Sequence, residues 1–112
     1  KIEDIEERAF YRCTLLKSIE LPPSIKSIKK GAFECSGLET IELPPKLNRV
    51  EEFTFSSCEN LTIVRLNENL RNIDNNAFED SNNLETIDAT ACPKIELGRL
   101  ILPKKIRIKR KE

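Results

Sequence analysis

The chain has 112 residues, enough for one domain, and its 19 basic and 19 acidic residues give a formal net charge of zero. It contains no histidine, which removes the commonest general base and metal ligand, and no apolar run approaches the roughly 18 residues of a membrane-spanning helix. The charge is unevenly distributed: from Arg99 to Glu112 the chain carries +6, and residues 1–98 carry −6. This asymmetry is typical of a basic tail.

The chain begins at Lys1, halfway through a repeating pattern. The repeat motif is centred on a phenylalanine that recurs at spacings of 23, 22 and 23 residues, at Phe10, Phe33, Phe55 and Phe78. A period of this length predicts a solenoid in which each coil buries its apolar face against the next. Because the half repeat before Ile2 is missing, we interpret the sequence as a piece of a longer protein whose upstream part, with any targeting signal, is absent.

Each repeat is predicted to contain a short strand. In repeat two, Ile41 and Leu43 alternate with Thr40 and Glu42, and Pro44 ends the strand because it has no N–H to donate. In the stacked coils these strands should be parallel, in register and about 4.8 Å apart. The strand pairs expected to be buried are Ile19/Leu21, Ile41/Leu43, Val64/Leu66 and Ile87/Ala89.

A second extended segment and a turn complete each predicted coil. The second-segment pairs are Ile2/Ile5, Ile25/Ile28, Leu47/Val50 and Leu70/Ile73. After the second segment, Ala9, Cys13 and Leu16 have the i, i+4, i+7 spacing of a helical face. The stretch is too short for a stable helix, so one 3₁₀ or α turn is predicted.

The pattern changes at the C-terminus. Leu100, Leu102, Pro103 and Ile106 keep the apolar spacing, but no Ala-Phe unit follows. We therefore expect a solenoid over residues 1–106, capped by an incomplete last coil, and a basic tail over residues 107–112. The tail is expected to be solubilising and to discourage the last strand from pairing with another chain. Weak contact with an anionic surface is the alternative.

The motif AFxxCxxLxxIxLP, seen from Ala9 through Cys13, Leu16 and Ile19 to Pro22, resembles the BspA-like leucine-rich repeat family. The resemblance implies a leucine-rich-repeat fold and a surface or secreted binding protein similar to adhesins, and it transfers no functional residue. Repeats three and four depart from the motif at Thr54, Asn67, Ser81 and Thr90, where looser turns are expected.

Three cysteines, Cys13, Cys35 and Cys58, are predicted to share one repeat position, with Cys92 as a fourth in the last half coil. Repeat two is one residue short, and we place the shortening between Phe33 and Cys35. The position favours buried, reduced thiols. Disulfides between stacked neighbours and a metal site are the alternatives, although no CxxC pair is present.

The outward residues of the predicted strands form two columns. We name them together the strand face: Ser18, Thr40, Ile63 and Thr86 in one column, and Glu20, Glu42, Arg65 and Asp88 in the other. Neighbouring acids in one column repel each other, so structure alone does not require them. The strand face is the candidate binding surface for a cationic partner, and neutral drift of solvent-facing positions is the alternative.

The sequence thus predicts a β-rich α/β leucine-rich-repeat solenoid with parallel strands stacked coil over coil and short helical turns. The predicted function is a non-catalytic, monomeric scaffold at a cell surface or secreted, which uses protein-protein interaction, as in cell adhesion, and needs no cofactor or metal. Nucleic acid is disfavoured as a partner, because the basic tail lacks aromatics, and so is a membrane, apart from the tail. The alternatives are a structural spacer or capping fragment of a larger repeat protein, and an accessory domain of an enzyme whose catalytic part is absent.

Overall fold

The computed structural model describes residues 1–111 as a parallel solenoid of five coils, which we number 1 to 5 (2–22, 25–45, 47–67, 70–90 and 92–109). The strands are short because each coil turns after two or three extended residues. In chain order they are β1 (Asp4–Ile5), β2 (Ser27–Ile28), β3 (Thr40–Glu42), β4 (Arg49–Val50), β5 (Ile63–Arg65), β6 (Asn72–Ile73), β7 (Thr86–Asp88) and β8 (Arg107–Lys109).

The main sheet has the order β3-β5-β7-β8, and all of its strands are parallel. The central residue of each strand faces the core: Ile41, Val64 and Ile87 are in register and buried, and Ile108 is half-buried at the end. Two smaller parallel sheets, β1-β2 and β4-β6, form the opposite side. The predicted parallel solenoid is therefore confirmed.

A ladder of phenylalanine rings fills the column. The centroids of Phe10, Phe33, Phe55 and Phe78 are 5.1, 5.7 and 5.7 Å apart, and successive rings are within 10° of parallel. Three of the rings are fully buried, and Phe10 is half-buried because no ring covers its outer face in the described structure. The period of the motif is thus the period of this stack.

The prediction of short helical turns is wrong, because the described residues contain no helix. Around Phe10, Phe33 and Phe55, alternate amides bond within the coil and to the next coil. Ala9 N donates to Glu6 O at 3.1 Å, whereas Phe10 N donates to Ala32 O at 2.7 Å. Left-handed residues such as Arg8 (φ 56°) and Arg12 (φ 59°) flank the ring and interrupt helical geometry.

Repeat two is shortened by one residue at Gly37, after Ser36, and not between Phe33 and Cys35 as expected. Gly37 N donates to Cys13 O of coil 1 at 3.0 Å, where the longer coils 3 and 4 form a local turn. A Cβ at Gly37 would lie 2.1 Å from the backbone oxygen of Thr14. Only glycine permits so close an approach between these two coils.

The departures from the motif in repeats three and four are not loose turns. Each polar replacement makes buried or half-buried hydrogen bonds. Ser81 Oγ accepts from Cys58 N at 2.9 Å and donates to Phe55 O, and Thr54 Oγ1 donates to Glu51 O at 2.7 Å. Ser81 and Asn67 thus bond from one coil to the next, whereas Thr54 and Thr90 bond within their own coils.

Coil 1 departs from the predicted frame. Ile19 and Leu21, expected to be buried in a strand, are only partly buried and lie outside any strand, and Ile2 is 65% exposed. The equivalent pairs of coils 2 to 4 are buried. An end coil packs on one neighbour only, so its apolar residues lose half of their burial.

The C-terminal expectation also needs correction. Arg107–Lys109, placed in the tail, form β8, and Ile108 pairs with Ile87. Leu100 and Leu102 instead lie in the loop that leads to β8 and are half-buried against the core. The solenoid therefore continues beyond residue 106, and its last edge strand is basic.

Removing residues 107–112 is expected to lower the free energy of unfolding by about 1–3 kcal/mol, because β7 loses backbone hydrogen bonds and the apolar cover of Ile108. The bare edge of β7 should also promote association. Removal of residues 111–112 alone is the control and should change neither property. Thermal unfolding and analytical ultracentrifugation test this, and equal behaviour of both truncations would contradict a stabilising role for β8.

Candidate functional site

The structure assembles six of the eight strand-face residues on neighbouring strands. Thr40, Ile63 and Thr86 are aligned in one column, and Glu42, Arg65 and Asp88 are aligned in the other. Ser18 and Glu20 are exposed but lie outside the sheet. The alternation of each strand thus brings the two columns together over three coils but not over the first.

Ile63 is the apolar member of the first column. Its side chain lies between Thr40 and Thr86 and is half-buried, whereas Thr40 is exposed. An aliphatic side chain on an otherwise polar surface offers an anchor for an apolar group of a partner.

The second column contains an internal ion pair. Arg65 Nε lies 4.0 Å from Asp88 Oδ2, and the Oδ1 atom of Asp88 accepts hydrogen bonds from Thr90 N at 3.0 Å and Thr90 Oγ1 at 2.8 Å. These two bonds from Thr90 hold the pKa of Asp88 below its usual value. Asp88 is therefore a fixed anion, while Glu42 forms no ion pair within residues 1–111.

Sequence reasoning missed two residues that extend these columns. Arg107 pairs with Thr86, and Lys109 pairs with Asp88, so both columns end in a cation. The sequence feature that could have identified this strand is the alternation of charged and apolar residues at Arg107, Ile108 and Lys109, which matches the polar and apolar alternation of β7. The charges of the second column therefore alternate in sign across the sheet, from Glu42 through Arg65 and Asp88 to Lys109.

The charges on the opposite side of the solenoid are paired with one another. Four ion pairs join neighbouring coils there at 3.1–3.4 Å: Glu3–Lys26, Glu6–Lys29, Glu52–Lys30 and Asp74–Arg49. The hydrogen bond to Glu6 raises the pKa of Lys29. Such exposed pairs stabilise little, but each one partly neutralises two charges that would otherwise be available to a partner.

The cysteines do not form one column. Cys35 is aligned with Arg12, Ser57 and Asp80, all with left-handed φ angles of 55–65°, and Ser36 takes the position beside Cys58. Cys58 is fully buried, and its Sγ donates to Phe33 O at 3.1 Å. Cys13 and Cys35 are half-buried, which corrects the expectation of uniformly buried thiols. All four thiols are free in the structure.

Thiol labelling of the native protein should therefore modify Cys13 and Cys35 first. Burial raises the pKa of Cys58 and Cys92, which lowers their reactive thiolate fraction. Mass spectrometry after alkylation should find these two modified only in denaturant. A Cys35→Ser variant serves as the control and should lose one fast-reacting group. Native modification of Cys58 at the rate of Cys35 would contradict the assignment.

Within residues 1–111, no group of three or more cysteine or acidic side chains is arranged to hold a metal ion. That part of the chain also contains no helix long and apolar enough to cross a membrane. Its clefts include one of about 280 Å³ between coil 1 and β3, lined by Ile19, Leu21, Leu43 and Pro44 and by Glu20 and Glu42 at its rim.

Comparison with known proteins supports the repeat architecture. The family model described as "BspA type Leucine rich repeat region" matches residues 1–99 in six copies. A leucine-rich repeat protein from Bacteroides ovatus is similar over 97% of this chain, with a TM-score of 0.82 and 27% identity, and the match covers 28% of that protein. A T. pallidum leucine-rich repeat protein gives a TM-score of 0.73 and 28% identity over 97% of this chain and 56% of its own. No curated protein matches the sequence.

Proposed function

The chain belongs to the BspA-type leucine-rich-repeat family, and from this premise we propose that it is a non-catalytic scaffold that binds a protein partner along its strand face. Such repeats stack into rigid, extended surfaces, which solenoids commonly use for recognition. The proposed setting is adhesion at a cell surface or by a secreted protein, with the chain acting as a monomer and without a cofactor.

The observation that carries the proposal is the half-buried Ile63 beside Arg65 in the middle of the sheet. Ile63 has polar column neighbours on both sides, and Arg65 is exposed next to it. Arginine and a buried apolar anchor are typical of the centre of protein interfaces. The charges that alternate in sign from Glu42 to Lys109 would fix the register of a partner whose charges alternate in the opposite order.

Binding is expected to depend on the strand face and not on the rest of the surface. We expect Ile63→Ser and Arg65→Glu each to reduce the amount of bound partner at least tenfold while the fold is retained. Arg65→Glu also loses the ion pair with Asp88 and should lower the melting temperature slightly. Ile101→Ser, which changes an aliphatic that is 50% exposed on coil 5, and Arg71→Glu, which makes the same charge reversal beside β6, are the matched controls and should change binding less than twofold.

The experiment immobilises the five proteins and compares what each retains from an extract of extracellular and surface proteins by quantitative mass spectrometry. A partner retained by the wild type and both controls, but by neither strand-face variant, supports the proposal. Partners retained equally by all five would contradict it and favour a spacer role. A sixth protein without residues 107–112 completes the set, and a partner that only this protein fails to retain would favour contact through the basic end.

A further inference from the structure

Coil 1 and coil 2 separate along the edge of the main sheet. Glu39 N donates to Lys17 O at 3.0 Å, which holds the two coils together just before β3. Beyond that point, and within the described residues, no backbone hydrogen bond joins residues 18–21 to β3. The cleft of about 280 Å³ between Leu21 and Leu43 lies at this separation.

The separation leaves one edge of β3 without a partner. Leu43 N donates to Arg65 O at 3.0 Å, so the odd-numbered backbone groups of β3 face β5. Because backbone groups alternate along a strand, those of Thr40 and Glu42 face coil 1, and Glu42 lines the cleft. An open edge with free N–H and C=O groups is a template for an added strand.

The rim of the cleft is acidic, which favours an occupant with basic side chains. Glu20 and Glu42 are both exposed there, and neither forms an ion pair in the part of the chain that the structure describes. The walls are apolar, formed by the side chains of Ile19, Leu21 and Leu43. An occupant that alternates apolar and basic side chains would satisfy both features.

The chain itself contains a strand of this kind. β8 has the sequence Arg-Ile-Lys and pairs in parallel with β7, Thr-Ile-Asp, so that Lys109 lies beside Asp88 and Ile108 beside Ile87. β3 has the closely similar sequence Thr-Ile-Glu. β8 lies on the edge of β7 toward the C-terminus, whereas the free edge of β3 faces coil 1, so the pairing indicates the side chains that suit a parallel neighbour of such a strand.

We propose that the free edge of β3 binds an extended segment of a partner protein by strand addition. The segment pairs its backbone with Thr40 and Glu42, places an apolar side chain in the cleft and sets a basic side chain beside Glu42 and Glu20. This inference rests on the proposed protein-binding function and adds to it a backbone contact at the coil 1 end of the strand face and a partner chemistry.

The test uses the full chain and a synthetic peptide, KKIRIKRK, which reproduces residues 104–111. Amide hydrogen exchange by NMR should slow at least tenfold at Thr40 and Glu42 when the peptide is saturating, with no such change at Arg71. Glu42→Lys should weaken peptide affinity at least tenfold. Glu68→Lys, an equal charge reversal at an exposed residue outside the cleft, should weaken it less than twofold.

A second peptide, KKIRPKRK, keeps the charge but has a proline in place of the central isoleucine, which removes a backbone donor and the apolar side chain. It should bind at least tenfold more weakly. Equal binding of both peptides, or exchange protection that avoids Thr40 and Glu42, would overturn strand addition in favour of charge attraction alone. If the peptide fails while Ile63→Ser and Arg65→Glu still lose their partner, the strand-face proposal stands and this inference alone is refuted.

Discussion

Phe55→Ala is expected to lower the free energy of unfolding by about 3–5 kcal/mol, the range for removing a buried aromatic ring. Phe55 is fully buried between Phe33 and Phe78, with centroids 5.7 Å away on both sides. The cavity would therefore weaken two coil-to-coil interfaces at the middle of the column. Chemical denaturation followed by circular dichroism measures the change.

Phe53 provides an internal control two residues away. It is half-buried and has a φ angle of 60°, the same conformation as Gly31 one coil earlier. In Phe53→Gly, loss of packing is offset by relief of a left-handed conformation that costs roughly 1–2 kcal/mol for a residue with a side chain. We expect a net change below about 1 kcal/mol. A larger loss for Phe53→Gly than for Phe55→Ala would refute the ring stack as the main source of stability.

Asn67→Ala is expected to cost about 2–4 kcal/mol, because several buried polar groups lose their partners at once. Asn67 stands where repeats one and two have proline. Its Nδ2 donates to Pro44 O at 2.5 Å and to Leu47 O at 2.8 Å, and its Oδ1 accepts from Asn69 N at 2.8 Å. The side chain thus joins coil 3 to coil 2 at the end of β5.

Asn69 is the matched residue for this test. Its Nδ2 donates to Pro45 O at 2.8 Å, but the contact is exposed, so water can replace the amide. Asn69→Ala should cost less than about 1 kcal/mol. Denaturant midpoints of the two variants provide the comparison, and equal losses would show that burial of the Asn67 amide contributes nothing.

The apolar period was sufficient to predict the central part of the fold. Strand alternation identified the buried pairs of coils 2 to 4, such as Ile41/Leu43, and the columns of outward residues that follow from them. These predictions succeeded because a coil between two neighbours has only one way to bury its apolar residues. Coil 1 has one neighbour, and there the same pattern at Ile19 and Leu21 did not produce a strand.

Other features left weaker signals in the sequence. Only Gly31 among the seven described left-handed residues is glycine, so the turn geometry that excludes helices could not be seen from composition. Alignment of the repeats by residue type placed Cys35 with the other cysteines, although its backbone conformation aligns it with Ser57. At the end of the chain, the apolar spacing favoured Leu100 and Leu102, while the pairing partner of Ile87 is Ile108. The charges beside Ile108 made an edge strand look like a tail.

The single hydrogen bond between Lys17 and Glu39 at the start of β3 has a further consequence for how the molecule comes apart. A stack held by contacts between adjacent layers has a local opening free energy for each layer rather than one value for the whole chain. The other side of coil 1 is held to coil 2 by the β1-β2 pairing and by the contact between the rings of Phe10 and Phe33, so local opening should begin at residues 18–21 and not at the rings. Fluctuation of residues 18–21 would then widen access to the free edge of β3 and would not require global unfolding.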